Sequence, residues 1–188
     1  MNKNFRNIIS KDNKNLLFLF FILFLSLMAS ALIFSFIGQE DLIKINYDSL
    51  KKYAFLDLFL EILKRNIIYF IVVIFLANFG FVYTIYAIFC IVSIMYGISI
   101  IYFTKIVALD KLYFIFTFTD YLVYFPFLFY FTHMSTLVSK YIKNIKKIET
   151  KSKKIDIIVI GYLKLSAIFV LLVIAYSLIY SYYIHLIL

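Results

Sequence analysis

Apolar positions along this chain do not alternate with polar ones; they gather into uncharged blocks long enough to cross a lipid bilayer. One block covers residues 16–37 and a second 67–103. A third covers 112–138, interrupted only by Asp120, and a fourth 165–188. A helix rises about 1.5 Å per residue, so roughly 20 apolar residues cross the hydrocarbon core. Within that core each segment must pair its own backbone N–H and C=O groups, which makes every block a helix. The pattern predicts an all-α integral membrane protein, one polytopic domain over residues 1–188 with little mass outside the bilayer.

The second block is too long for one crossing. As a single helix it would reach about 55 Å, against a hydrocarbon core of about 30 Å. Asn78-Phe79-Gly80 is the only Asn/Gly cluster within it, and a tight turn there divides the block in two. Its first half then takes in residues 60–66, with Lys64 and Arg65 reaching back to the headgroups. Five spans result, near 16–37, 61–78, 81–104, 112–136 and 165–186.

Charge tests that count independently. The N-terminal arm carries Lys3, Arg6, Lys11 and Lys14 against Asp12. The segment 139–164 carries Lys140, Lys143, Lys146, Lys147, Lys151, Lys153, Lys154 and Lys164 against Glu149 and Asp156. Five spans put both basic segments on one side, the cytoplasm, with the N-terminus there and the C-terminus outside. Four spans would set them on opposite faces, against the positive-inside rule. The net charge of +9 is therefore a topology signal with anionic lipid as its partner, and nucleic acid is not expected. Ala29-Ser30-Ala31 has the form of a signal-peptide cleavage site, but the apolar run continues beyond it without a polar spacer. The first span is expected to be a retained anchor.

Outside the spans, Asp48 is placed to cap a helix over about 49–63. Its apolar positions Leu50, Tyr53, Leu56, Phe59, Leu60 and Leu63 recur at three- and four-residue steps, with Asp57, Glu61, Lys64 and Arg65 on another face. Such a helix lies on the outer leaflet as a lead-in to span two, or offers a docking surface to a partner outside the membrane.

Candidate chemistry is sparse. Asp120 is the one acidic residue deep in a span, where insertion costs about 2.5–3.5 kcal/mol. It is expected to be held by Thr117, Thr119 or nearby Tyr hydroxyls and to knit the bundle; the alternative is an ion or proton relay. His133 lies about 20 Å further along a straight helix, too far to serve as its relay partner. Pro126 removes a backbone donor and kinks its helix, while Gly97 permits close approach of a neighbouring helix. His185 sits near the C-terminal membrane edge. The single Cys90 forms no internal disulfide and reads as a small buried hydrophobe. No H-E-x-x-H, Gly-x-Ser-x-Gly or phosphate-cradling glycine loop occurs. Neither an enzyme nor a cofactor site is expected. The 17 Tyr and 23 Phe read first as packing and interfacial anchors.

In layout, the order of elements resembles the stage II sporulation protein M family, small five-span proteins with a polar loop after the first span. The likeness is greatest from Phe59 to Thr136. Phe59-Leu-Glu-Ile-Leu-Lys-Arg-Asn66 is similar to the family's helix leading to a basic/Asn step. Met95-Tyr-Gly-Ile-Ser-Ile100 stands where the family has a Gly-containing stretch. Thr119-Asp-Tyr-Leu-Val-Tyr-Phe-Pro126 resembles a segment that carries Pro-Gln-Asn followed by a second Pro. Only the second Pro is kept, as Pro126, and Thr119-Asp120-Tyr121 replaces the first element. The resemblance implies a non-enzymatic scaffold in the cell membrane of a bacterium, engaged in forespore engulfment. It would recruit a lytic transglycosylase and a cell-wall amidase that remodel peptidoglycan on the outer face. The alternative is a transport component, either a small permease or a membrane subunit paired with a separate ATPase.

Overall fold

The computed structural model describes residues 13–36, 54–106, 120–145 and 152–187. Among these the ordered elements are all helical: α1 (Asn13–Phe36), α2 (Phe55–Phe79), α3 (Val82–Ile106), α4 (Phe125–Ile145) and α5 (Ser152–Ile187), with a π-helical turn (Asp120–Tyr124) leading into α4. Among the described residues four stretches are long and apolar enough to cross a membrane: Asn13–Phe36, Val82–Ile101, Leu122–Asn144 and Ile158–Tyr183. The protein is an all-α, multi-pass membrane protein. α2 differs in kind from those four. Asp57, Glu61, Lys64 and Arg65 occupy its first half, leaving residues 66–79, about 21 Å of helix, free of charge.

Residues 55–63 form the opening turns of α2 itself rather than a separate surface helix; Leu50 and Tyr53 lie outside the described residues. The basic segment 139–164 is likewise largely helical, since α4 continues to Ile145 and α5 begins at Ser152. Lysine is a good helix former, so the charges that end an apolar run do not end the helix.

α2 and α3 form an antiparallel hairpin. Gly80 adopts φ +81°, its N–H donates to the Ala77 carbonyl (3.2 Å), and the Phe81 N–H donates to that of Leu76 (3.0 Å). That pair of bonds closes the helix in a Schellman motif, whose left-handed residue is favoured as glycine. Side-chain partners give the direction of the other helices. Asn15 and Ser30 of α1 meet Tyr86 and Ile94 of α3 in the same order, so those helices are parallel. Asn15 also meets Thr136 and Lys140 near the end of α4, which runs the opposite way. Ser135 of α4 meets Tyr162 of α5, while Tyr124, just ahead of α4, stacks on Tyr176. The five helices therefore alternate. The start of α1, the Gly80 turn, the end of α4 and the start of α5 share one end of the bundle.

α1 packs chiefly on α3, and α2 on α5, while α4 touches all four. Every residue from 131 to 139 is buried, which a helix achieves only when enclosed on all sides. Aromatic rings fill the space around it: Phe131 lies 4.7 Å from Phe70 and 5.2 Å from Phe169, centroid to centroid. Edge and tilted ring contacts of this kind contribute about 0.5–1.5 kcal/mol each beyond their buried area. α1 instead turns Leu17, Phe24 and Leu32 outward.

The α1–α3 contact is close because its facing residues are small. A Cβ at Gly97 would stand 2.3 Å from Ser30 Oγ. Ser30 Oγ donates within α1 to the Ser26 carbonyl (2.7 Å) and across to the Ile94 carbonyl of α3 (2.9 Å). Ser26 reaches Cys90 Sγ at 3.4 Å. The helix runs unbroken through Ala29-Ser30-Ala31. Pro126 is the second residue of α4, two positions after the π turn ends. Its missing N–H and the bulk of its ring disturb the turn before it, and a widened π turn accommodates both.

Candidate functional site

α4 carries Thr132, Ser135, Thr136 and Ser139 at three- and four-residue steps, all buried. Three of these hydroxyls donate to their own helix: Thr132 to the Leu128 carbonyl, Ser135 to that of Phe131 and Thr136 to that of His133. With its proton committed, each oxygen can only accept from a neighbour. Each neighbour supplies a donor. The Tyr69 hydroxyl of α2 donates to Thr132, the Tyr162 hydroxyl of α5 donates to Ser135 at 2.7 Å, and the Asn15 amide of α1 donates to Thr136 at 2.8 Å. The central helix is thus an acceptor post bonded by three surrounding helices.

Asn15 is the hub of this arrangement. Its Nδ2 donates to His133 Nδ1 (2.9 Å) and Thr136 Oγ1 (2.8 Å). Its Oδ1 accepts from the Tyr86 hydroxyl and from Lys140 Nζ (2.7 Å). Both donors and both lone-pair directions of the amide are used. Because an NH₂ group only donates, His133 Nδ1 must accept here, which places the proton of a neutral ring on Nε2. A second junction lies toward the other end. Asn66 Nδ2 of α2 donates to Ser177 Oγ of α5 (3.2 Å), and the Asn66 carbonyl accepts from the Tyr124 hydroxyl (2.9 Å).

Beside the Asn15 hub a cleft of ≈ 430 Å³ opens between the ends of α1, α3 and α4. Phe18, Val82, Tyr83, Tyr86, Lys140, Lys143 and Asn144 line it. Lys143 Nζ stands 4.7 Å above the Tyr83 ring, and Lys140 Nζ lies 5.9 Å from that of Tyr86. The chemistry offered is cationic and aromatic, suited to holding an anion.

The other residues singled out from sequence are dispersed. Asp120 opens the π turn at the far end from Asn15; the surroundings of its side chain, and Thr117 and Thr119, lie outside what the structure describes. Asn78 binds the Ile74 carbonyl of its own helix at 3.0 Å. Gly80 and Gly97 occupy the hairpin turn and the α1–α3 contact. Leu56, Asp57 and Glu61 are exposed at the start of α2 and Phe59 is half-buried, while Leu58 and Ile62 point inward. The His185 ring packs edge-on to Phe55 at 5.9 Å. Among the described residues no three His, Cys, Asp or Glu side chains converge as a metal site would require.

Sequence reasoning passed over Asn15, Tyr86 and Thr136, and read Lys140 only as one of the basic residues that set topology. One signal was available: the hydroxyl spacing from Thr132 to Ser139 marks a helix face that seeks polar partners. No family model, curated protein or solved structure matches this chain.

Proposed function

We propose that this protein is a non-enzymatic membrane scaffold whose five helices all cross the bilayer, with the Asn15 end in the cytoplasm and the C-terminus outside. The observation that carries the reading is the acceptor post of α4. The hydroxyls of Thr132, Ser135 and Thr136 are engaged by Tyr69, Tyr162 and Asn15, so these polar groups serve to bind the helices together. Such bonding suits a fixed body that holds other proteins in place. In this topology α2 enters the membrane through its charged first half, whose long side chains reach the headgroups. The exposed Leu56, Asp57, Leu60 and Glu61 then face the outside, where a cell-wall hydrolase would dock. The layout shared with the sporulation M family supports a lytic transglycosylase and an amidase as the partners, in the cell membrane of a spore-forming bacterium.

A photo-crosslinking residue at Leu56 or Leu60 tests this in living cells. The scaffold reading predicts adducts with wall hydrolases. Adducts with an ATPase from a second probe placed at Lys143, and none with hydrolases from Leu56 or Leu60, would replace it with the transport reading. One observation favours that rival: π turns concentrate at functional sites, and this one starts at Asp120. Asp120→Asn should leave a scaffold working and disable a proton-linked carrier.

A further inference from the structure

We propose that the cleft between α1, α3 and α4 is a binding site for the phosphate-bearing headgroup of an acidic phospholipid, with the phosphate seated between Lys140 and Lys143. The residues lining it bring two positive charges and no carboxylate. Both ammonium groups are positioned by neighbours: Lys143 lies over the Tyr83 ring, while Lys140 is bonded to Asn15 and lies beside Tyr86. Cations fixed in this way lose little side-chain freedom on taking up an anion, which raises affinity. Asn144 adds a neutral polar group at the rim.

Position and shape identify a lipid rather than a free anion. The cleft sits at the bundle end that gathers Lys14, the Gly80 turn and the start of α5, with Tyr83 75% exposed beside it, as tyrosines at a membrane interface are. Phe18 and Val82 supply an apolar wall, and Phe18 is exposed on α1 together with Leu17 and Phe21, a face along which an acyl chain can lie. At ≈ 430 Å³ the space is in the range of small-molecule sites, and a lone phosphate would leave most of it empty. A glycerophosphate headgroup takes up more of it and leaves room for the first methylenes of an acyl chain. The site stands independently of the scaffold reading, since either a scaffold or a transporter could carry it.

The test uses the full chain purified in neutral detergent, with lipid retention measured by native mass spectrometry and stabilisation by thermal unfolding. Phosphatidylglycerol should be retained and should raise the midpoint, whereas phosphatidylcholine should do neither. Lys143→Gln should weaken phosphatidylglycerol binding about five-fold, the value of one lysine near an anionic surface. Lys164→Gln, which removes an equal charge outside the cleft, should change it little. Equal losses from both variants would mean diffuse attraction and overturn the site. Displacement of the lipid by millimolar inorganic phosphate would reassign the cleft to a free anion, and equal retention of phosphatidylcholine would remove the anionic requirement.

Discussion

Replacing Asn15 with leucine removes four hydrogen bonds at once while keeping the number and branching of side-chain heavy atoms, which limits the packing change. Two lost bonds are the amide's donations to His133 Nδ1 and Thr136 Oγ1, at 2.9 and 2.8 Å. The others are acceptances from the Tyr86 hydroxyl and from Lys140, the latter at 2.7 Å. Interhelical hydrogen bonds in membrane bundles average about 0.6 kcal/mol. Three at that value and one charge-assisted bond of about 1.5–3 kcal/mol sum to about 3–5 kcal/mol. The assay is reversible unfolding in mixed micelles, read by maleimide labelling of Cys90. That thiol lies in the α1–α3 contact beside Ser26, so detachment of α1 exposes it. Asn15→Leu should shift the labelling midpoint by the stated amount. The double variant with His133→Leu should lose less than the two single losses combined, because the partners share a bond. A shift below about 0.5 kcal/mol, the scale of an ordinary surface substitution, would refute Asn15 as the hub.

Other substitutions separate the devices that hold the bundle together. Tyr69→Phe and Tyr162→Phe each delete one donor to α4 and should each cost about 0.6–1.5 kcal/mol by the same unfolding assay. Gly80→Ala should cost about 1–2 kcal/mol, because φ is +81° and the added Cβ meets nothing closer than 3.6 Å; Gly80→Asn should cost less. At Gly97 the added Cβ stands 2.3 Å from Ser30 Oγ, so Gly97→Ala should cost about 1–3 kcal/mol as overpacking. Ser30→Gly in the same chain should recover part of that loss, measured by Cys90 labelling.

The helical, membrane-crossing character was legible because long uncharged runs leave the backbone no other solution in lipid. Gly80 stood out for a related reason: an Asn/Gly cluster inside such a run is a position where the chain can reverse. Helix ends were harder to place. The sequence reading begins the last span at residue 165, after the lysines, yet α5 starts at Ser152. Lysines end membrane burial without ending the helix. The polar hub was out of reach because Asn15 lies more than a hundred residues from His133, Thr136 and Lys140. Their meeting depends on α4 being enclosed at the centre, a property of the packing that hydropathy does not encode. Asp120, the most conspicuous residue in the sequence, is conspicuous for its charge in an apolar run. Asn15 draws no notice, because one amide after a lysine at a helix start is ordinary.

In the proposed topology all five alternating helices traverse the lipid, which sets the two chain ends on opposite faces. Epitope tags at Met1 and after Leu188, probed by protease and antibody on intact cells and then on lysed ones, test it most directly. Five crossings require that the C-terminal tag be reached from outside on intact cells and the N-terminal tag only after lysis. Both tags answering in the same compartment would contradict it: α2 would then rest in the interface instead of crossing, and its first turns would no longer face the wall.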